Sequence, residues 1–109
     1  MTAQDGAGVV DFAYLESFCA GDMQVIAEVL STFRDQAQVW VERLERPGED
    51  WRDLAHAIKG AARGIGARPL GDAADQAERL GPEVLGLVRG ELDDAVAEIE
   101  GYLTRIGGG

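Results

Sequence analysis

The sequence predicts an all-α protein, an antiparallel up-down four-helix bundle preceded by one short extra helix. Three observations carry that prediction. Apolar residues recur at three- and four-residue steps along successive segments, which is the periodicity of one buried helix face. No stretch alternates apolar and polar residues over a useful length, so strands are not expected. Glycine-proline or proline-glycine pairs and glycine-rich breaks fall between the periodic segments, where short antiparallel connections need them. At 109 residues, 46% of them apolar, the chain has the length of one domain and enough apolar material for one core.

The elements follow in order. Residues 1–10 read as a flexible lead-in, and residues 11–106 as the bundle. Asp11 is a plausible N-cap for a short helix that ends before Gly21. Asp22 is a second N-cap. After it Ile26, Leu30, Phe33, Ala37, Trp40 and Leu44 make one apolar stripe on a long helix, which Pro47-Gly48 stops. A third helix starts near Asp50, with Trp51, Leu54, Ala55, Ile58, Ala61, Ala62 and Ile65 as its apolar positions, and the Gly66-Ala67-Arg68-Pro69 stretch ends it. A fourth points Leu70, Ala73, Ala74, Ala77 and Leu80 inward and closes at Gly81-Pro82. The fifth carries Leu85, Val88, Leu92, Ala95, Val96, Ile99, Leu103 and Ile106, and residues 107–109 are a glycine tail expected to fray. Gly86, Gly90 and Gly101 weaken this last helix without an evident reason.

Composition excludes several classes of function. Ten basic residues against twenty acidic ones give a net charge of −10, which argues against general binding to nucleic acid or to an anionic membrane. Cys19 is the single cysteine, so no intramolecular disulfide and no cysteine-based zinc site can form, and it reads as a small buried hydrophobe. No secretory signal and no apolar run of the roughly 20 residues that span a bilayer is visible. The expectation is a soluble cytoplasmic monomer.

His56 is the single histidine. At about 100° per residue, it falls roughly 160° from the apolar direction of the third helix and so points at solvent. Phase alone leaves an inert surface histidine equally open. Its neighbours add more. Arg52, His56, Lys59 and Arg63 lie at steps of four, three and four and share one stripe, a positive stripe on an acidic chain. Gly60 and Gly64 flank it inside the helix, at a cost of about 1 kcal/mol each relative to Ala. Missing side chains there let another surface approach the imidazole. An exposed histidine, flanking cations and cleared space suggest an anion handled on a docking surface. Neutral imidazole is a nucleophile near neutral pH and can attack phosphorus. Lys59, one turn away, can neutralise phosphoryl oxygens. No Asp, Glu and His cluster is built to hold Mg²⁺, so a partner should bring the metal that phosphoryl transfer normally uses.

These residues resemble a known family. His56-Ala57-Ile58-Lys59-Gly60, then Ile65-Gly66-Ala67, then Leu70, Ala74 and Glu78 are similar to the signature of histidine-containing phosphotransfer (HPt) domains. The resemblance extends upstream through Phe18, Gly21-Asp22, Ile26, Leu30 and Phe33 and covers nearly all of residues 11–106. It implies a bundle that presents the histidine on a helix face and exchanges phosphate with receiver domains of a hybrid kinase or a response regulator. It further implies His56 as phosphoacceptor through Nε2, Lys59 as the stabilising cation, and Gly60 and Gly66 as providers of room or of helix packing. Glu78 matches the position that accepts a hydrogen bond from the other ring nitrogen. The resemblance implies no cofactor on this chain, with Mg²⁺ on the partner. Ala61 and Ala62 depart from the usual small hydroxyl residues, and Ala77 from a usual leucine, which thins packing between the third and fourth helices. Arg52, Gly60, Arg63 and Gly64 are expected to contact the partner; for Arg63 and Gly64 the signature makes no such demand.

Three other readings compete. A helical adaptor would dock a receiver without carrying phosphate, but usually loses the histidine or the lysine, and this chain keeps both. A dimeric kinase hairpin would need an apolar dimer seam on two long helices and an attached ATPase domain. A metal site built on His56 lacks a second histidine.

Overall fold

The computed structural model describes residues 8–107. The expectation of a flexible lead-in falls mainly on residues 1–7, and that of a fraying tail mainly on residues 108–109, both outside the described residues. Helix α1 spans Phe12–Phe18, α2 Met23–Glu45, α3 Trp51–Ile65, α4 Arg68–Leu80 and α5 Leu85–Ile106, with a 3₁₀ turn at Pro82–Val84. No strand occurs among the described residues. The predicted bundle with a short leading helix is what the chain forms.

Local sequence sets the boundaries. The Asp11 carboxylate accepts from Tyr14 N–H, and the Asp22 carboxylate from Gln24 and Val25 N–H, so both expected caps satisfy otherwise orphaned donors. Gly66 closes α3 in the left-handed conformation at φ 81°, and its N–H is shared between the α3 carbonyls of Ala62 and Arg63. Pro69 then lies in the first turn of α4, where its missing N–H costs nothing. Asp50 precedes α3 but makes no side-chain cap; its carboxylate pairs with Arg43 of α2 instead.

The stripe predicted on α2 is the buried set of that helix: Ile26, Leu30, Phe33, Ala37, Trp40 and Leu44. It shares one core with Leu54, Ala55, Ile58, Ala62 and Ile65 of α3, Leu70, Ala73, Ala74 and Ala77 of α4, and Leu85, Val88, Leu92, Ala95 and Ile99 of α5. Trp51 and Ala61 are half-buried at the edge of that core.

Four residues differ from expectation. Leu80 is exposed, not inward: it is the last residue of α4, the chain leaves through Gly81 at φ 128°, and Leu85 with Val84 fills that end of the bundle. Tyr102, absent from the predicted stripe, is buried because α1 covers that side of α5. Its ring stacks on Phe12 at a centroid distance of 4.3 Å, and its hydroxyl donates to Glu16 at 2.5 Å. Val9 and Val10 are tied down: the Glu98 carboxylate of α5 accepts their N–H groups at 2.8–2.9 Å, and Val10 is buried. Asp11 N–H then donates to the Gly66 carbonyl at 2.9 Å, which anchors the start of α1 to the end of α3.

Candidate functional site

The site is the seam between α3 and α4. Both helices are strongly amphipathic, and the small residues Ala62 and Gly71 meet at their contact, where a Cβ on Gly71 would lie 3.8 Å from Ala62 Cβ. Bulk at these positions would push the helices apart. Gly71 shows how close they come: a Cβ there would lie 3.1 Å from Arg63 Cγ. Close approach brings short acidic side chains on α4 within reach of the polar face of α3.

His56 stands on that face with its side chain 70% exposed, as helix phase predicted. Its Nδ1 lies 3.0 Å from Glu78 Oε2. In the tautomer that lets Nδ1–H donate to this carboxylate, Nε2 carries the lone pair, and no described residue hydrogen-bonds it. Lys59 turns toward α4. Its ammonium lies 2.6 Å from Glu78 Oε1, a close ion pair, and 3.4 Å from Asp75 Oδ1. Glu78 therefore bridges the imidazole with one oxygen and the ammonium with the other. The lysine side chain is 19% exposed and that of Glu78 17%, so the pair is largely screened from water.

The electrostatics follow from these contacts. Lys59 beside Glu78, helped by the hydrogen bond from His56, holds the Glu78 carboxyl below its ordinary value against the opposing effect of partial burial. Glu78, seconded by Asp75, raises the Lys59 ammonium. Asp75 is lowered first by Arg79, one turn further along α4 at 3.1 Å, and then by Lys59.

Much of the stripe read as positive is therefore engaged by α4. Arg52 is also engaged: its Nε donates to the Glu78 carbonyl at 3.2 Å, and its guanidinium lies 4.7 Å from the Trp51 ring centroid. Arg63 makes no ion pair among the described residues. Gly60 and Gly64 face open space, with nothing within 4 Å of an added Cβ, so the ground beside His56 is clear. Gly66 lies off this surface; it ends α3 and receives α1. Asp75 escaped the sequence reading, since a helix aspartate reads as solvated by default. The signal was its three-residue step before Glu78, which places both acids on one face of α4. No three His, Cys, Asp or Glu side chains converge as metal ligands among the described residues, and no described helix is long and apolar enough to cross a membrane.

The family model for the Hpt domain matches residues 24–107. The chain belongs to the Hpt-domain family. Hpt domains serve phosphorelays, in which a histidine exchanges a phosphoryl group with receiver domains. The chain is also similar to a solved structure described as the histidine phosphotransferase ShpA from Caulobacter crescentus. That match has 46% sequence identity and a TM-score of 0.84, over 92% of this chain and 95% of the other. No curated protein sequence matches. Within this Hpt domain, the residues that resemble the family signature at His56, Lys59 and Glu78 are those that meet across α3 and α4.

Proposed function

We propose that this Hpt domain carries a phosphoryl group on Nε2 of His56 between receiver domains. The observation that carries the proposal is the exposed ring whose Nδ1 is held by Glu78 while Nε2 is left open. A carboxylate on Nδ1 orients the imidazole and places its nucleophilic lone pair on Nε2. Nε2 attacks the phosphorus of a receiver's aspartyl phosphate. An N–P bond forms as the acyl-phosphate P–O bond breaks, and the electron pair leaves with the receiver's carboxylate. The ring takes up positive charge, with Nδ1–H still donating to Glu78, and the same step run backwards returns the group. Lys59 offers an ammonium N–H to the transferring oxygens.

On this reading the chain is a carrier and not a self-sufficient enzyme. It supplies the nucleophile, its orientation and one cation. The divalent ion and the acceptor carboxylate belong to the receiver. The cleared surface at Gly60 and Gly64, with Arg52 and Arg63 beside it, is where the receiver docks.

Incubation with a receiver phosphorylated on its aspartate tests this. The chain should acquire label that survives alkali and is lost in acid, and His56→Gln should acquire none. The exposed position of His56 predicts an unchanged circular dichroism spectrum for that variant. Retention of acid-labile label by His56→Gln would overturn the proposal.

A further inference from the structure

Lys59 has more partners than a phosphoryl-stabilising cation needs. Its ammonium is shared by two carboxylates, and they do not hold it equally. Glu78 Oε1 is fully buried, and among the described residues Lys59 is its sole neighbour of opposite charge, 2.6 Å away. Withdrawing the lysine would strand a buried carboxylate oxygen, a costly outcome. Asp75 is placed differently. Its side chain is 32% exposed, its contact with Lys59 is the longer one at 3.4 Å, and Arg79 binds its other oxygen at 3.1 Å. When Lys59 leaves, Asp75 keeps both a cation and water. Of the two contacts, the one to Asp75 is exchangeable.

A phosphoryl group arriving on the neighbouring ring brings up to about two negative charges and strong acceptor oxygens. From this asymmetry we infer that Asp75 is a positioning residue for transfer, competing with the phosphoryl oxygens for the Lys59 ammonium. The inference rests on the reading of His56 as phosphoacceptor. Loading His56 exchanges the Lys59–Asp75 contact for a Lys59–phosphoryl contact, while Lys59 stays on Glu78. Unloading restores the first arrangement. The competition lowers the stability of the phosphorylated form below what histidine and lysine alone would give. That suits a carrier which must release its cargo.

The test is the equilibrium division of label between a phosphorylated receiver and this chain. It is approached from both sides by starting either with labelled receiver or with the chain loaded by phosphoramidate. Wild type, D75N, K59Q and the double variant are compared. D75N should move label toward this chain by about two- to fivefold, the range expected when one partly exposed ion-pair competitor is removed. In the K59Q background D75N should have no effect, because the contested ammonium is gone. A merely structural Asp75 would change the thermal midpoint and leave the division of label unmoved. The inference is overturned if D75N leaves the ratio unchanged, or shifts it equally with and without Lys59. If wild type itself acquires no acid-labile label, the reading of His56 fails, and this inference with it.

Discussion

Glu78 is the residue on which the seam turns, because one carboxylate there serves two partners on the facing helix. Its carboxyl is held below the ordinary value of 4.5, chiefly by Lys59. A carboxyl that titrates lower in the folded than in the unfolded chain stabilises the fold fully above its unfolded value. That contribution is lost as pH falls through its folded value. Wild type should therefore be more stable than Glu78→Gln at pH 7, and the gap should narrow once pH drops below about 4.5. Urea midpoints of the two proteins at pH 7 and pH 3 measure it, and a gap that is constant across that range would refute the ion-pair account. At this scale the sequence was informative about which residues matter and poor about whom they touch. Helix phase and spacing place His56 and Lys59 on the solvent-facing stripe, and Glu78 is identified by resemblance to a signature. That Lys59 points at two acids, and that Arg52 reaches the Glu78 carbonyl, depend on how closely α3 and α4 approach. No single-helix periodicity encodes that distance.

Among the elements, the joint between α1 and the end of α3 is the most exacting. Gly66 takes φ 81°, and an added Cβ would lie 2.8 Å from Tyr14 Cδ2 and 3.1 Å from the Asp11 carbonyl oxygen. Left-handed geometry alone costs a residue with a Cβ about 1–2 kcal/mol, and the contact with the Asp11 backbone adds to that. Gly66→Ala should lower stability by about 1–3 kcal/mol. It should also loosen α1, seen as faster hydrogen exchange at the Asp11 amide that donates to Gly66. Exchange no faster than in wild type would mean that α1 is held by other contacts, such as the stacking of Phe12 on Tyr102. Elements whose ends carry a cap or a breaker were legible in advance: Asp11, Asp22, Pro47-Gly48 and Gly66 each mark a real boundary. Tyr102 and Leu80 were misjudged for one shared reason. Whether a residue at the edge of an apolar stripe is covered depends on a neighbouring element, α1 in one case and the departing chain in the other.

For the molecule as a whole, the question is whether the bundle is complete in one chain. A dimeric kinase hairpin would bury an apolar seam along two long helices. The two long helices here are α2 and α5, and their three- and four-step stripes are already spent on this chain's own core, from Ile26 to Leu44 and from Leu85 to Ile99. The large apolar residues left exposed on them are Met23, Val25, Val39 and Leu87; Val25 and Val39 lie two heptads apart on α2, but the exposed polar Thr32 holds the position between them, so no continuous apolar seam runs along either helix. A net charge of −10 further opposes the association of two copies. The particle measures 41 × 27 × 21 Å with a radius of gyration of 13.9 Å, close to the roughly 13 Å of a compact chain of 100 residues. Sedimentation equilibrium should therefore return a mass near 11.6 kDa. Moderate salt, which screens the acidic surface, should not raise that mass, because α2 and α5 expose no continuous apolar seam to form once repulsion is removed. A mass that doubles in salt would show that charge alone had kept two copies apart. It would bring the hairpin reading back, with the exposed pair Tyr14 and Phe18 of α1 as the first place to look for the contact.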